Sequence, residues 1–225
     1  MRICKKPEER KLEITEAALE LFLEKGYENV SVKDITNKVN VASGLFHYYF
    51  HSKEEVLMEC VRLDRKQFIE ELNQSKYLNE DRSAIEKINY LMSRAVQNIM
   101  ARSELIQNVW YVSNGMLMNQ IKLEVLGAIS DMLAKFIEQG NVEGVFACKF
   151  PYAVAEIAVF GLNQHFILEQ ERDPSLRKYL LGEYIYMSRE KLREIFMGAL
   201  NMKEPGGLLD FPMPETQKKT KEESL

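Results

Sequence analysis

The chain has few of the features that mark membrane, secreted or disulfide-bonded proteins. Its 225 residues include no apolar run of the roughly 18 residues that a membrane-spanning helix needs. The N-terminal stretch MRICKKPEERK lacks the apolar core of a secretion signal. Only three cysteines occur, scattered and without a CxxC pair, which argues against a disulfide framework and favours a reducing compartment. We therefore expect a cytoplasmic protein with no membrane segment.

A strong charge of one sign is also absent, and so are the common catalytic motifs. The net charge of −4 argues against a surface that is basic throughout. The segment from Lys25 to Lys53 is mildly basic, because it contains four cationic and two anionic side chains. We find no nucleophile with a matching base, no glycine-rich phosphate loop and no paired-carboxylate or HExxH site. The sequence therefore predicts a protein that is not an enzyme and needs no cofactor.

Helical periodicity runs through nearly every segment. Apolar residues from Ile14 to Phe22 follow the i, i+3, i+4 pattern, and Gly26 is a stop signal, so the first helix is expected over 8–25. Longer helices are expected at about 53–75, 82–101, 103–113, 116–139, 152–171 and 176–200. With no convincing strand alternation, the predicted fold class is all-α.

Short helices near the N-terminus form a helix-turn-helix pattern. Ser31, with Asp34 three residues later, is a capping box that begins a helix ending near Lys38. Asn40 is suited to a left-handed turn, and a third helix follows from about Ser43 to Tyr49. Ser52-x-x-Glu55 is a second capping box, which begins the fourth helix.

The third helix sorts its residues into an apolar face and an unusual outer face. Phe46 and Phe50 lie four residues apart and are expected in the core. The outward residues would be Gly44, His47 and Tyr48, with Leu45 at the edge. Such a face fits a helix in a DNA major groove, where glycine allows close approach and the other side chains contact base edges.

A lysine and two histidines near this helix carry alternative interpretations. Lys53 lies in the first turn of the fourth helix, where the helix dipole favours acidic rather than basic residues. A phosphate bound at this helix end would explain a lysine at that position. His47 and His51 are spaced as helical metal ligands, but no cysteine or acid completes a set, so no metal site is predicted. Lys33 and Lys38 are as well explained by solvation as by phosphate contact.

The segment resembles the DNA-binding domain of the TetR family of bacterial regulators over roughly residues 10 to 60. That family has a Ser- or Thr-led second helix, a Gly-Val-Ser turn, a Gly-x-x-Tyr-x-Tyr/His-Phe recognition helix and a Ser-Lys-Glu start to the fourth helix. The matching residues are Ser31, Asp34, Ile35, Val41, Gly44, Leu45, Phe46, Tyr49, Phe50, Ser52, Lys53, Glu54 and Leu57.

Two departures from the family pattern affect the expected contacts. Ala42 replaces the usual serine, which removes a helix cap worth about 1 kcal/mol and a phosphate contact, although Ser43 is placed to substitute. His47 replaces a tyrosine, and because histidine titrates near neutrality, a contact from His47 to phosphate would make DNA binding pH-dependent.

The resemblance implies an N-terminal three-helix helix-turn-helix domain and a C-terminal helical domain for ligand binding and dimerisation. We assign residues 8–52 and 53–202 to these domains and 203–225 to a loose tail rich in proline and charge. The expected function is a dimeric repressor, released from a near-palindromic operator by a small-molecule effector. The homodimer would form through the two C-terminal helices, as in the family. The residues expected to bind DNA are Ser31, Lys33, Ala42, Ser43, Gly44, Leu45, His47, Tyr48 and Lys53.

The effector pocket is expected among polar and aromatic residues of the second domain, although a stripe of such residues is more often plain core. The candidates are Trp110, Tyr111, Met116, Phe160, Asn163, Gln164 and His165. Two alternatives stay open at this stage. One is a family member controlled by a protein partner, and the other is a helical ligand-binding protein with weakened DNA binding.

Overall fold

All regular structure in the part of the chain that the structure describes is helical. The structure, a computed structural model, describes residues 6–101, 115–178, 181–204 and 206–212. Its helices are α1 Pro7–Lys25, α2 Val32–Lys38, α3 Ser43–Tyr49, α4 Lys53–Gln74, α5 Lys76–Asn79, α6 Ala84–Ala101, α7 Gly115–Val142, α8 Pro151–Arg172, α9 Leu181–Met187 and α10 Arg189–Leu200, with a 3-10 helix at Pro174–Lys178. None of these helices combines the length and apolarity required to cross a bilayer. The all-α prediction is confirmed, while the helix expected at 103–113 lies outside the described residues.

The chain divides into two compact units. Of the described residues, the first holds 6–74 and 115–128, and the second holds 75–101, 129–178, 181–204 and 206–212. The helix α4 belongs to the first unit because it packs along α1. The domain ranges 8–52 and 53–202 remain predictions.

The first unit is built around one apolar core shared by α1 to α4. The helix α1 ends where Gly26 adopts φ 79° and donates its N–H to the Phe22 carbonyl at 3.0 Å, so the predicted glycine stop is confirmed. The buried side chains of the core include Ile14, Phe22, Ile35, Phe46, Phe50 and Leu57. Each contributes about 1.5–3 kcal/mol by leaving water, which holds the short helices α2 and α3 against α1 and α4.

In the second unit, a glycine and a ring close the connection between α7 and α8. The chain turns at Gly144, with φ 76°, and the N–H groups of Val145 and Phe146 donate to the Gly140 carbonyl at 3.0 and 3.1 Å. The Phe146 ring then lies directly over Gly140, where an added Cβ would be 2.1 Å from a ring carbon. In this Gly140-x-x-x-Gly144-x-Phe146 pattern, the absence of a side chain at Gly140 therefore allows the Phe146 ring to pack against the end of α7.

The helix predicted over 176–200 is interrupted, so that prediction is wrong in its extent. The chain instead forms the 3-10 helix, α9 and α10, and departs from helical geometry at Ser188, with φ −93° and ψ 4°. Ser188 is the N-cap residue of α10, and its side chain makes no capping hydrogen bond. The segment α9 packs against α6 and buries Tyr184 and Ile185.

The chain from residue 203 is not loose throughout, contrary to our expectation. Residues 206–212, which we call the C-terminal strap, bury Leu208, Leu209 and Phe211 to 5% exposure or less. The Asn89 amide of α6 donates to the Gly207 carbonyl and accepts from the Leu209 N–H, both at 2.7 Å. Local composition favoured disorder here, but long-range packing overrides it. Residues 213–225 lie outside the described ranges.

Candidate nucleic-acid interface

The first helix of the helix-turn-helix begins at a fully formed capping box. The Ser31 N–H donates to Asp34 Oδ2 at 2.8 Å, and the Asp34 N–H donates to Ser31 Oγ at 3.2 Å. Hydrogen bonds from the Ser31 hydroxyl and N–H lower the pKa of Asp34 and keep it charged. The predicted cap is confirmed. It fixes the start of α2, where Ser31 and Lys33 are both exposed.

The turn between α2 and α3 depends on a left-handed asparagine. Asn40 adopts φ 52°, as predicted, and the next N–H, that of Val41, donates to the Thr36 carbonyl at 3.0 Å. Because this bond closes the turn onto α2, the direction in which α3 leaves is set by local chemistry.

The recognition-helix candidate α3 spans the predicted range Ser43–Tyr49 and has the two predicted faces. Phe46 and Phe50 are 0% and 1% exposed, with ring centroids 5.6 Å apart, so their core role is confirmed. On the opposite side Gly44 and His47 are exposed, and Tyr48 is 73% exposed. Leu45 is half-buried at the edge. A Cβ at Gly44 would meet nothing within 4 Å, so the glycine serves no internal packing need.

The start of α3 lacks a side-chain cap. Ala42 is the N-cap residue and offers no acceptor, and Ala42 and Ser43 are both exposed. The predicted loss of the cap is thus confirmed. The free N–H groups at this end are open to an external acceptor such as a phosphate oxygen.

Lys53 has an intramolecular partner that the sequence did not indicate. Its Nζ lies 4.0 Å from the centre of the Tyr27 ring. The Tyr27 hydroxyl donates to Glu54 Oε1 at 3.3 Å, and both burial and the nearby Glu54 raise the pKa of Tyr27 to about 12. A cation at the start of α4 is therefore stabilised from within the protein, without any need for a phosphate. In contrast, Lys38 forms an ion pair with Glu20 at 2.8 Å.

The second histidine of the segment, His51, has a carboxylate partner. His51 bonds Glu55 through both its N–H, at 2.7 Å, and its ring Nδ1, at 3.0 Å, just before α4 begins. No group of three or more candidate metal ligands occurs among the residues that the structure describes. Glu55 also donates its N–H to Ser52 Oγ at 3.2 Å, which is one half of the predicted capping box, while its carboxylate accepts from the N–H of His51.

The effector-site candidates fall partly outside the described residues. Trp110 and Tyr111 do so entirely, and Met116 lies in the first turn of α7. On α8, Phe160, Asn163 and His165 are half-buried, whereas Gln164 is exposed. Asn163 Oδ1 is buried without a hydrogen-bond partner in the described ranges, and the His165 ring lies edge-on to Tyr184 at 6.0 Å. Burial raises the pKa of Tyr184. Four of the seven candidates therefore lie on α8, and three of these four are half-buried.

The described residues thus combine a helix-turn-helix whose second helix has an exposed face with further helices, an arrangement found in helix-turn-helix DNA-binding regulators. Residues 14–60 match the model of the bacterial regulatory proteins of the tetR family. The match falls on the helix-turn-helix, so this segment is similar to that family, in agreement with the resemblance expected from the sequence.

Two bacterial relatives match part of the chain. The fatty acid metabolism regulator protein of Bacillus subtilis (strain 168) is 31% identical over 83 residues, which cover 37% of this chain and 42% of the relative. The transposon Tn10 TetC protein of Escherichia coli is 26% identical over 129 residues, covering 55% of this chain and 63% of the relative. The chain thus spans less than two thirds of the length of either relative.

Solved structures share the fold over most of the chain. A transcriptional regulator from Cytophaga hutchinsonii ATCC 33406 has a TM-score of 0.66 at 17% identity, covering 84% of this chain and 97% of its own. FadR from Bacillus subtilis, solved in complex with stearoyl-CoA, has a TM-score of 0.54 at 22% identity, covering 84% and 98%. At these identities the likeness establishes the fold alone, over most of the chain.

Proposed function

We propose that this protein is a dimeric transcriptional repressor that binds a near-palindromic DNA site and is released from it by a small-molecule effector. The observation that carries the proposal is the composition of α3. Its phenylalanines are buried, while Gly44, His47 and Tyr48 occupy the exposed face. A regulator that acts on the chromosome belongs in the cytoplasm, and we assign no catalytic activity to it.

On DNA, α3 lies in the major groove with its exposed face towards the base edges. Tyr48 and His47 offer hydrogen-bonding groups, and Leu45 is placed for contact with a thymine methyl. Phosphate contacts come from both sides of the groove and position the helix without reading sequence. We assign them to Ser31, Lys33, Ala42, Ser43 and Lys53, with Ala42 contributing only backbone.

The dimer is proposed to form through α8 and the helices that follow it. Ile157 and Leu168 on α8 are 73% and 40% exposed, and Ile195 on α10 is 61% exposed. Large apolar side chains at such exposure favour burial against a second copy. A two-fold dimer presents two recognition helices about 34–36 Å apart, which suits half-sites one turn of DNA apart.

The effector is proposed to bind near Phe160, Asn163 and His165 of α8, where an apolar ring adjoins polar groups. A long-chain acyl-CoA is the class to test first, because one relative is a fatty acid metabolism regulator and one structural neighbour was solved with stearoyl-CoA. The effector acts only through its differential affinity for the DNA-competent and DNA-incompetent states.

Selection of binding sequences from random duplexes tests the DNA-binding proposal. We expect the protein to enrich a near-palindromic motif. Tyr48→Ala should relax base preference by about 1–3 kcal/mol at the positions it contacts, with little loss of stability because Tyr48 is largely exposed. Failure to enrich any sequence at low salt would remove DNA binding from the proposal.

A matched lysine pair on α2 tests the phosphate contacts. Lys33→Ala should weaken binding to all sequences and reduce the salt slope of log K by about 1. Lys38→Ala removes the same charge from the same helix but breaks the ion pair with Glu20, so the slope should stay near that of the wild type. Equal effects of the two substitutions would point to general charge rather than a specific contact.

Release by the effector is tested on the protein–DNA complex. We expect stearoyl-CoA to dissociate the complex and free coenzyme A not to do so. Asn163→Leu should weaken the response to the acyl-CoA while leaving DNA affinity unchanged. A complex indifferent to acyl chains of every length would exclude this effector class.

A further inference from the structure

The contact between Lys53 and Tyr27 brings a flexible cation to a fixed place at the start of α4. The ammonium Nζ is 4.0 Å from the ring centre, well within the range of a cation–π interaction. A lysine side chain normally samples many rotamers, and holding it in one costs conformational entropy. The attraction between the ring and the ammonium offsets this entropy cost before any ligand binds.

Tyr27 itself is held on several sides. It is 5% exposed, its ring lies 5.2 Å from that of Phe22, and its hydroxyl donates to Glu54 at 3.3 Å. Gly26, with its left-handed backbone, ends α1 directly before it. The ring plane is therefore a rigid platform rather than a mobile surface group.

A ring differs from a carboxylate as a partner for a lysine that must bind an external anion. It attracts the ammonium but leaves its unit charge in place, and the ammonium keeps N–H donors that point away from the ring. The ion pair of Lys38 with Glu20 is the opposite case, because the charge is neutralised within the protein. Lys53 also lies at a helix N-terminus, where the backbone dipole favours a bound anion.

We propose that Tyr27 is a positioning residue for DNA binding, whose ring holds the Lys53 ammonium where it contacts a backbone phosphate. The inference rests on the proposed DNA-binding function and adds a residue that no DNA atom touches. Tyr27 then contributes to affinity through Lys53 and not to base preference.

The test weakens the electrostatic attraction between the ring at position 27 and the Lys53 ammonium in steps, while the shape of the ring is nearly unchanged. Position 27 is occupied by phenylalanine and then by phenylalanines with one, two or three ring fluorines, each of which weakens the negative face of the ring. The probe is a duplex of about 30 base pairs enriched by the wild-type protein. We expect affinity to fall stepwise, by about three- to tenfold in total, with an unchanged melting temperature.

The same fluorinated series in a Lys53→Met background measures how much of the effect depends on the contact between residue 27 and Lys53. There we expect no dependence on fluorine content, since the cation is gone, together with a salt slope reduced by about 1. A stabilising role of Tyr27 in the core alone would not produce such a graded, lysine-dependent effect. Base preference should be the same throughout the series.

Three results separate the inference from the function beneath it. A graded loss of affinity that requires Lys53 supports the inference. Affinity that is independent of fluorine content, in a protein that binds the duplex with a normal salt slope, overturns the role of Tyr27 and leaves the DNA-binding function standing. A wild-type protein that binds no duplex even at about 50 mM salt overturns both.

Discussion

At the scale of single residues, Tyr27 has a titration behaviour that follows from its surroundings. Burial and the neighbouring Glu54 raise its pKa from 10.0 to about 12. Both disfavour the phenolate, so the folded protein retains a proton that the unfolded chain releases between these two pH values. The side chain therefore makes the stability of the first unit sensitive to alkali.

We predict that this sensitivity disappears in Tyr27→Phe. Below pH 10.0 tyrosine is protonated in both states, so its contribution to stability is fully present. As the pH rises towards about 12 the unfolded state loses its proton first, and the free energy of unfolding of the wild type falls. Urea unfolding followed by circular dichroism across this range should show the wild type losing stability relative to the variant. Parallel curves would mean that the hydroxyl titrates normally in the folded state.

At the scale of elements, two features of the second unit depend on packing between residues that the sequence pattern does not reveal. The first is the contact of the Phe146 ring with Gly140. The second is the packing of the C-terminal strap against α6 and α10. Leu209 of the strap has a left-handed backbone with φ 57°, which costs a leucine about 1–2 kcal/mol. Its contacts must outweigh that cost for the strap to stay in place.

Gly140→Ala should destabilise the protein. The new Cβ would lie 2.1 Å from a Phe146 ring carbon, so the ring must shift, at a cost of about 1–3 kcal/mol. Gly127→Ala in the same helix is the control, because nothing lies within 4 Å of its Cβ position and alanine favours the helix by about 0.5–1 kcal/mol. Thermal melts of the two variants should shift in opposite directions, and a stabilised Gly140→Ala protein would refute the contact.

Removal of the strap should destabilise the protein more than removal of the residues after it. A chain ending at Glu204 loses Leu208, Leu209 and Phe211, and the Arg193 Nε loses its bond to the Leu208 carbonyl at 2.6 Å. We expect a loss of about 1–3 kcal/mol, because ordering the strap offsets part of the burial gain. A chain ending at Pro212 should unfold at the wild-type denaturant concentration. Equal stability of the two truncated chains would show that the strap contributes nothing.

At the scale of the whole molecule, the proposed function requires two copies of the chain. The double variant Ile157→Asp, Ile195→Asp places charge on the apolar face of α8 and α10 and should yield a monomer by light scattering. Its DNA affinity should fall by about 10²- to 10⁴-fold, since one half-site is then bound without the other. Val142→Asp is the control, as Val142 is 90% exposed but lies at the end of α7. A dimeric double variant with unchanged affinity would place the interface elsewhere.

The helix-turn-helix follows from interactions between near neighbours in the chain. Ser31 and Asp34 are three residues apart, Asn40 turns the chain within its own peptide units, and Phe46 and Phe50 share a face through helical periodicity. Propensity, capping and amphipathic spacing act over one or two turns, so they can be derived from the order of residues alone. The bounds of α3 and its exposed face were accordingly predictable.

The platform under Lys53 and the strap arise from contacts between segments distant in the chain. The Leu209 N–H donates to the side-chain amide of Asn89, 120 residues earlier in the chain. Lys53 contacts the ring of Tyr27, which follows the first helix. Whether such groups meet depends on how helices pack, and local composition can point the other way, as the proline-rich stretch did. The residue order thus determined the bounds of α3, the candidate recognition helix, and the residues on its exposed face. Packing of the folded chain decided which partner each long or flexible side chain found, because that choice depends on burial and reach rather than on sequence spacing.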